Sequence, residues 1–577
     1  MGVRENKGLA LLLAAAVLLG LLSGCSGAEN TAVFRAKETA LRETVLTDQL
    51  RQQLEQAPAG EAGYAVFFSA CDGTRRASVC HGAGETLDAA WDAAAQAMER
   101  EVKQGGSAPL WLKADVVYVS SALSAGALEG IGEVFGPGGF RYGLALDPAF
   151  ETAFLEAELN TAGIYDYEKG GVDLERLNAY LKETGRASVN ALPERCTAFQ
   201  CAGWLCGEDN SVVPLSLEET AYGRREYSAV DGEIAAALAQ DGAEYLAAQV
   251  REDGSIVLYG GEALPIPRHA DALRGMLRGY RRHPSEALAG SIDRAADWLA
   301  SQIAYTEQDM GFFLDQGEIT LEDSALGLIA LSECAEVSGN DGYLPVCRAL
   351  GAGLLSLLDA ETGRLTHVLN AEDLSRKEEF RAAAWDSMGA AALCRLYGMT
   401  EDSLWLWAAE LVQDRILTEE PAGDVWTAYA LREMTKYVQD RTDYFVYALK
   451  NAQGSLATIY SAQGTEPAGL EMLLLSYETY RRMLDAGYST AGFSPDLLLE
   501  VVSARAMRQL DGYLFPEYAM YYAEPEKVLG AFMDREKGLG IDAEGMCRNI
   551  NGYDLYAAQY ETLLADGMPK VPGEEDA

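Results

Sequence analysis

Beyond Asp231 the sequence becomes a succession of twelve helical segments separated by loops rich in Gly, Pro and aromatics, and this alternation constrains the fold more than any other feature. The segments pair as 231–250 with 268–283, 287–304 with 320–336, 342–359 with 380–397, 401–418 with 424–438, 442–452 with 466–484, and 494–510 with 547–564. The second member of each pair begins polar or acidic and then turns small and apolar on nearly every side: HADALRGMLRGY, LEDSALGLIALSE, WDSMGAAALCRLY, GDVWTAYALREM, EPAGLEMLLLSYE and NGYDLYAAQYETLL. A helix with no polar face has no side to give to water and is buried. First members such as SIDRAADWLASQI carry apolar residues on one side only, as a helix with one face in solvent does. Buried helices each backed by a one-sided helix predict an inner ring within an outer ring. The fold class is therefore mainly α, an (α/α)₆ toroid of six helical hairpins with a smaller α+β domain before it.

This organisation, over residues 231–566, resembles the bacterial (α/α)₆ group that includes glycoside hydrolases, polysaccharide lyases and uronyl C5-epimerases. The resemblance implies a sugar-active protein with its site at one mouth of the ring. Terpenoid-cyclase-like and protein-binding toroids share the same helical arithmetic, so architecture alone does not decide function.

The segment before the toroid mixes two periods. Within 62–220, GYAVFFSA, ASVCHG and PLWLKADVVYVS alternate as strands and TLDAAWDAAAQAMEREVKQ reads as an amphipathic helix, giving an α+β domain. At the N-terminus, Arg4 and Lys7 precede the apolar run LALLLAAAVLLGLL, and Leu22-Ser23-Gly24-Cys25 resembles the bacterial lipobox. Residues 1–24 read as a lipoprotein signal peptide, with Cys25 the lipidation site and 25–61 a lipidated tether with a short helix. The last residues, 567–577, read as a disordered acidic tail. The expected location is the extracytoplasmic face of the cell membrane, lipid-anchored.

A formal net charge of −42 repels phosphate backbones, which argues against nucleic acid as a partner. The expected partners are a polysaccharide or other glycan polymer, the membrane through the lipid anchor, and an envelope protein. No cofactor is implied. Cys196, Cys201 and Cys206 recur every five residues, unlike the spacing that wraps zinc, and no calcium-loop pattern occurs, so no metal is expected. Cys71 and Cys80 flank an Asp72-Gly73 turn, where a disulfide competes with the reading of buried free thiols. Nucleophile-elbow, phosphate-loop, zinc-protease and dinucleotide motifs are absent.

The loops leading from outer to inner helices are the long ones, among them REDGSIVLYGGEALPIPR and ETGRLTHVLNAEDLSRKEEF, whereas the opposite turns RRHPSE and YGMTED are short. Long loops on one end of a rigid ring mark that mouth as the place for binding residues. Glycoside hydrolysis needs two carboxyl groups, for which Asp323, Asp386 and Asp424 are the catalytic candidates and Glu466 a binding one. Each of those aspartates also stands where a helix start favours an acidic cap. Trp385, Trp426 and Tyr518 are candidates for stacking against sugar rings. His269 offers proton transfer near neutral pH, and Arg268 offers bidentate recognition of a carboxylate. Arg548 and Asn549 head the last inner helix, which ring closure places beside the first. For His269 the competing reading is a histidine that bonds a neighbouring segment. Two functions stay open: a surface lipoprotein binding and processing a polysaccharide, or a non-catalytic envelope scaffold.

Overall fold

The computed structural model describes residues 27–47, 53–54, 63–105, 107–124, 141–166, 169–218, 221–377, 381–462, 465, 467–490, 492–535 and 539–570. The signal segment, Cys25, Glu466 and tail residues 571–577 lie outside the described residues. The chain forms two compact units. The first runs to Glu226 and also takes Leu514–Leu529 and Arg535–Leu539; the second comprises Tyr227–Tyr513, Gly530–Asp534 and the chain from Gly540.

In the first unit, strands β1 (Tyr64–Cys71), β2 (Ser78–Gly84), β3 (Trp111–Ser124), β4 (Gly143–Ala145), β5 (Ala153–Phe154), β8 (Arg195–Cys206) and β9 (Val212–Pro214) form one antiparallel sheet. A small hairpin, β6 (Tyr165–Asp166) with β7 (Gly171–Val172), stands apart. The sheet order is β2-β1-β3-β8-β4-β5, with β9 on β8. Period-two alternation sends Leu112, Ala114 and Val116 to one face, where helix α1 over 27–45 and helix α2 (Leu87–Gly105) cover them with Phe34, Leu41, Val45, Trp91 and Met98. The helix read as part of a tether thus contributes to the core. Lys113 and Asp115, on the other face, form a buried ion pair at 3.1 Å. Beside them Ser69 Oγ meets the Tyr521 hydroxyl at 2.8 Å. Tyr521 comes from the late segment 514–529. Helices α3 (Glu156–Thr161) and α4 (Leu174–Glu183) enclose a second cluster with Leu144, Phe154 and Cys196.

Every cysteine of the described residues is a free thiol. The β1–β2 register pairs Cys80 with Phe68, not with Cys71. A Cys71–Cys80 disulfide is ruled out by that offset.

The second unit is the toroid. Outer helices α5 (Gly232–Ala248), α7 (Glu286–Ser301), α9 (Leu344–Leu357), α11 (Ser403–Ile416), α13 (Thr442–Gln453) and α15 (Pro495–Gln509) alternate with six inner ones. The inner helices are α6 (Ile266–Arg282), α8 (Leu321–Ser338), α10 (Ala383–Thr400), α12 (Val425–Met434), α14 (Ala468–Asp485) and α16 (Ala543–Ala565). Each inner helix packs on the next, and α16 closes the ring against α6. Burial follows the sequence pattern: α8 is buried without interruption from Asp323 to Ala335, whereas α7 buries Leu288, Ser291, Ile292, Ala295, Ala296 and Leu299 at helical spacing. Small residues make the closure possible, since a side chain at Gly242 or Gly275 would place its Cβ 2.8 or 3.1 Å from Ile550. Arg282 reinforces it, meeting Asp554 at 2.6 Å.

Candidate active site at the ring mouth

Every inner helix is entered from an outer one, so all six inner N-termini gather at one end of the ring. Caps fix these starts: Thr320 accepts from Asp323 N (3.1 Å), Asp424 from Thr427 N (2.7 Å) and Asp542 from Gly545 N (2.8 Å). Arg268, in the first turn of α6, reaches sideways to both ring neighbours. Its Nη1 lies 2.9 Å from Glu544 of α16 and 3.0 Å from Asp271, and its Nη2 lies 3.8 Å from Glu322 of α8. The guanidinium is partly open at 33% side-chain exposure, as are Glu322 at 19% and Glu544 at 43%, while Asp271 is buried beneath.

Burial pushes three carboxyls of this rim upward. Asp271 rises to about 6 although Arg548, Arg274 and Arg268 oppose the shift. Glu322 rises to about 6 by burial, again against Arg268, and Asp323 to about 6 by burial with a further push from Asp315. A partly exposed carboxyl that titrates near pH 6 can hold and release a proton under mild conditions.

Below the rim the lumen is filled by the chain's own side chains. The guanidiniums of Arg274 and Arg548 lie over the Trp426 ring at 5.1 and 4.6 Å. Arg548 is paired with Glu471 at 2.8 Å, and Asn551 donates to the same carboxylate at 2.9 Å. Deeper still, Glu333 accepts from Arg274 (3.2 Å), Arg278 (3.3 Å) and the Tyr429 hydroxyl (2.6 Å). Against the upward push of burial, Arg274, Arg278 and Arg395 hold Glu333 well below the usual carboxylate range.

The remaining sequence candidates divide by what they touch. His269 is buried between α6 and α7: its Nε2 meets Ala295 O at 2.9 Å and its ring stacks on Trp298 at 4.3 Å. It faces away from the lumen, which is the placement of a residue joining two helices. Asp386 is buried in the first turn of α10, with His367 Nε2 at 3.1 Å and Arg381 against its other oxygen. The Ala382 amide donates to His367 Nδ1 (3.2 Å), so Nε2 carries the proton and donates to Asp386. Trp385 stands beside that histidine at 5.6 Å. Asp424 is occupied as a helix cap, bonded to both the amide and the hydroxyl of Thr427. Asn549 is buried against Gln509 at 2.6 Å. Tyr518 belongs to the first unit, where its hydroxyl donates to Glu156 at 3.3 Å. The structure therefore brings Arg268 together with Asp271, Glu322 and Glu544, and Arg548 together with Trp426 and Glu471. Sequence reasoning passed over Asp271, Glu322, Glu544 and Glu471. Two signals were available, the i,i+3 spacing of Arg268 and Asp271 and the i,i+4 spacing of Glu544 and Arg548, each of which puts both residues on one helix face.

Among the described residues no cluster of His, Cys, Asp and Glu could hold a metal ion. No helix of the described residues is long and apolar enough to cross a membrane.

No protein-family model matches the chain, and no curated protein matches it. Solved structures do show similarity. One is a GH76 α-mannanase of Bacteroides thetaiotaomicron, at 12% identity, covering 57% of this chain and 97% of that one, with a TM-score of 0.41. Another is an unsaturated glucuronyl hydrolase specific for heparin (13%, 57% and 98%, 0.42). A third is the cellobiose 2-epimerase of Spirochaeta thermophila (13%, 57% and 98%, 0.43). The toroid itself rests on this chain's helix order and ring closure.

Proposed function

We propose that the toroid mouth binds a saccharide chain and acts on it by proton transfer, with Glu322 as general acid, Glu544 as the facing carboxylate and Arg268 holding the two in register. The observation that carries this is the shared guanidinium. Glu322 lies 3.8 Å from Arg268 Nη2 and Glu544 2.9 Å from Nη1. The two carboxyls are thus no more than about 9 Å apart, within the limit of roughly 5–10 Å for paired carboxyls in glycoside hydrolysis. Both are open enough to meet a ligand. Glu322, titrating at about 6, donates its proton on the acid side of neutrality and loses that capacity as the pH rises.

The test is turnover of a broad glycan panel, acidic glycans included, by purified protein. Glu322→Gln should lower kcat about 10²–10⁴-fold while leaving Kd within a few fold, and wild-type kcat/KM should fall as pH rises through about 6. A panel in which no glycan is bound or altered would remove this reading.

A second reading, recognition without turnover, has its own support in the lumen that Arg274, Arg548 and Trp426 fill. It keeps the mouth as a shallow binding rim, and it is chosen if a glycan of the panel binds while none is altered. We propose with either reading that acylation of Cys25 anchors the protein at the extracytoplasmic membrane face, which incorporation of labelled fatty acid in wild type but not Cys25→Ala would check. An envelope protein partner is a proposal of the same standing.

A further inference from the structure

A second feature lies on the outside of the ring, away from the lumen. The two-stranded hairpin Ile303–Tyr305 and Gly311–Phe313 leans on α9, and a groove of about 510 Å³ runs between them. Its floor is one face of α9, with Pro345, Ala349 and Ala352 at helical spacing beside Leu344. Tyr305 forms an aromatic wall and is 56% exposed. Gln308, Asp309 and Arg348 stand at the edges, exposed, and their side chains have no hydrogen bond or ion pair among the described residues.

The hairpin tip is held in place. Thr306 N donates to Met310 O at 2.9 Å, Met310 N to Thr306 Oγ1 at 3.2 Å and Asp309 N to Thr306 O at 3.1 Å. Asp309 sits at φ 59°, a left-handed conformation rare outside glycine, which those bonds maintain. The polar edge is thus presented by a set turn.

We propose that this groove binds a second stretch of uncharged saccharide chain, anchoring the polymer that the mouth engages. The chemistry of the lining carries the choice of occupant. A pyranose ring offers an apolar C–H face to Tyr305 and the small-residue floor, and hydroxyls that both donate and accept at its rim. The groove offers the complement: an amide, a carboxylate and a guanidinium at the edges, whose two opposite charges cancel. An acidic polymer finds no net positive charge here, and meets a chain of net charge −42. The inference rests on the saccharide reading of the mouth, which it extends to chains long enough to reach beyond it.

The experiment uses the whole protein with four probes: maltohexaose, cellohexaose, laminarihexaose and mannohexaose. Hydrogen exchange should show at least one of them protecting 303–313 and 344–352, and Tyr305→Ala should weaken its Kd by about tenfold or more, with Arg348→Ala weakening it less. Turnover of trisaccharides should be unchanged in Tyr305→Ala, since that ring takes no part in the mouth. Protection by none of the four, an unaltered Kd in Tyr305→Ala, or protection that grows with protein concentration without sugar would each overturn the proposal, the last in favour of an interface between copies. Glu322→Gln keeps the two readings apart. Lost turnover with intact groove protection supports both, whereas unchanged turnover with intact protection removes the mouth chemistry alone.

Discussion

The ring of His269 lies 4.3 Å from Trp298 and is hydrogen-bonded to the Ala295 carbonyl, so its surroundings decide its charge. Burial depresses it from an ordinary 6.5 to about 4. Being depressed on folding, it contributes stability in full above about 6.5, and that contribution is lost as pH falls from there towards 4, because the unfolded chain binds the proton first. Asp271, raised to about 6, works the other way over the same range, gaining stability as pH falls. The two effects are separated by comparison with a variant. His269→Phe keeps a ring against Trp298 and removes the titration, so its thermal midpoint should fall less than wild type between pH 6.5 and 4, by an amount worth a few kcal/mol at most. Parallel midpoint curves would show that the ring reaches solvent. His269→Ala should lower stability by about 2–4 kcal/mol through lost packing, with glycan binding unaffected. The reason the neighbouring candidates Arg268 and His269 parted is rotation: one step along a helix turns about 100°, whereas Arg268 and Asp271 are three apart and share a face.

Inner and outer helices were legible in the sequence because burial on all sides leaves a composition that a one-faced helix cannot have, as the contrast between LEDSALGLIALSE and SIDRAADWLASQI shows. The short strands between mouth loops were not. Glu318–Thr320 pairs with Val368–Asn370, joining the loops of neighbouring hairpins, but three residues carry no readable period. The site was legible to the level of the first helical turn and no further, since Glu322 rather than Asp323 meets Arg268 by one step of about 100°. Tyr518 was misplaced for a different cause: its segment folds with the first unit through contacts hundreds of residues away. Helix starts themselves give the test at this scale. Asp424 caps α12 through Thr427, so Asp424→Ala should cost about 1 kcal/mol, seen as a lower denaturation midpoint. Asp386→Ala should cost more, about 2–3 kcal/mol, because it strands the buried His367 N–H as well as Arg381. Hydrogen exchange over 365–377 and 381–386 would then rise first. Equal losses in the two variants would mean that the His367–Asp386 pair does no more than a surface cap.

A closed ring needs its interior satisfied as well as its seam joined, and Glu333 does this for several helices at once. It takes two arginines from α6 and the Tyr429 hydroxyl from α12, while Arg395 of α10 is bonded to Ser332 of α8 and paired with Glu433 of α12 at 3.6 Å. Four consecutive inner helices are therefore tied through one buried charge network. Removing a member leaves the others buried and uncompensated, which costs about 3–5 kcal/mol, far more than the pair was worth relative to apolar side chains. Glu333→Gln should accordingly lower the denaturation midpoint more than any single change at the rim. Glu333→Gln combined with Arg274→Met and Arg278→Met should recover much of the loss, because the stranded charges go with it. The seam gives the contrast. Arg282 and Asp554 are partly exposed where α6 meets α16, so Asp554→Asn should cost under about 1 kcal/mol. If the seam variant proved as costly as Glu333→Gln, closure of the ring rather than its buried network would be the step that holds the toroid together.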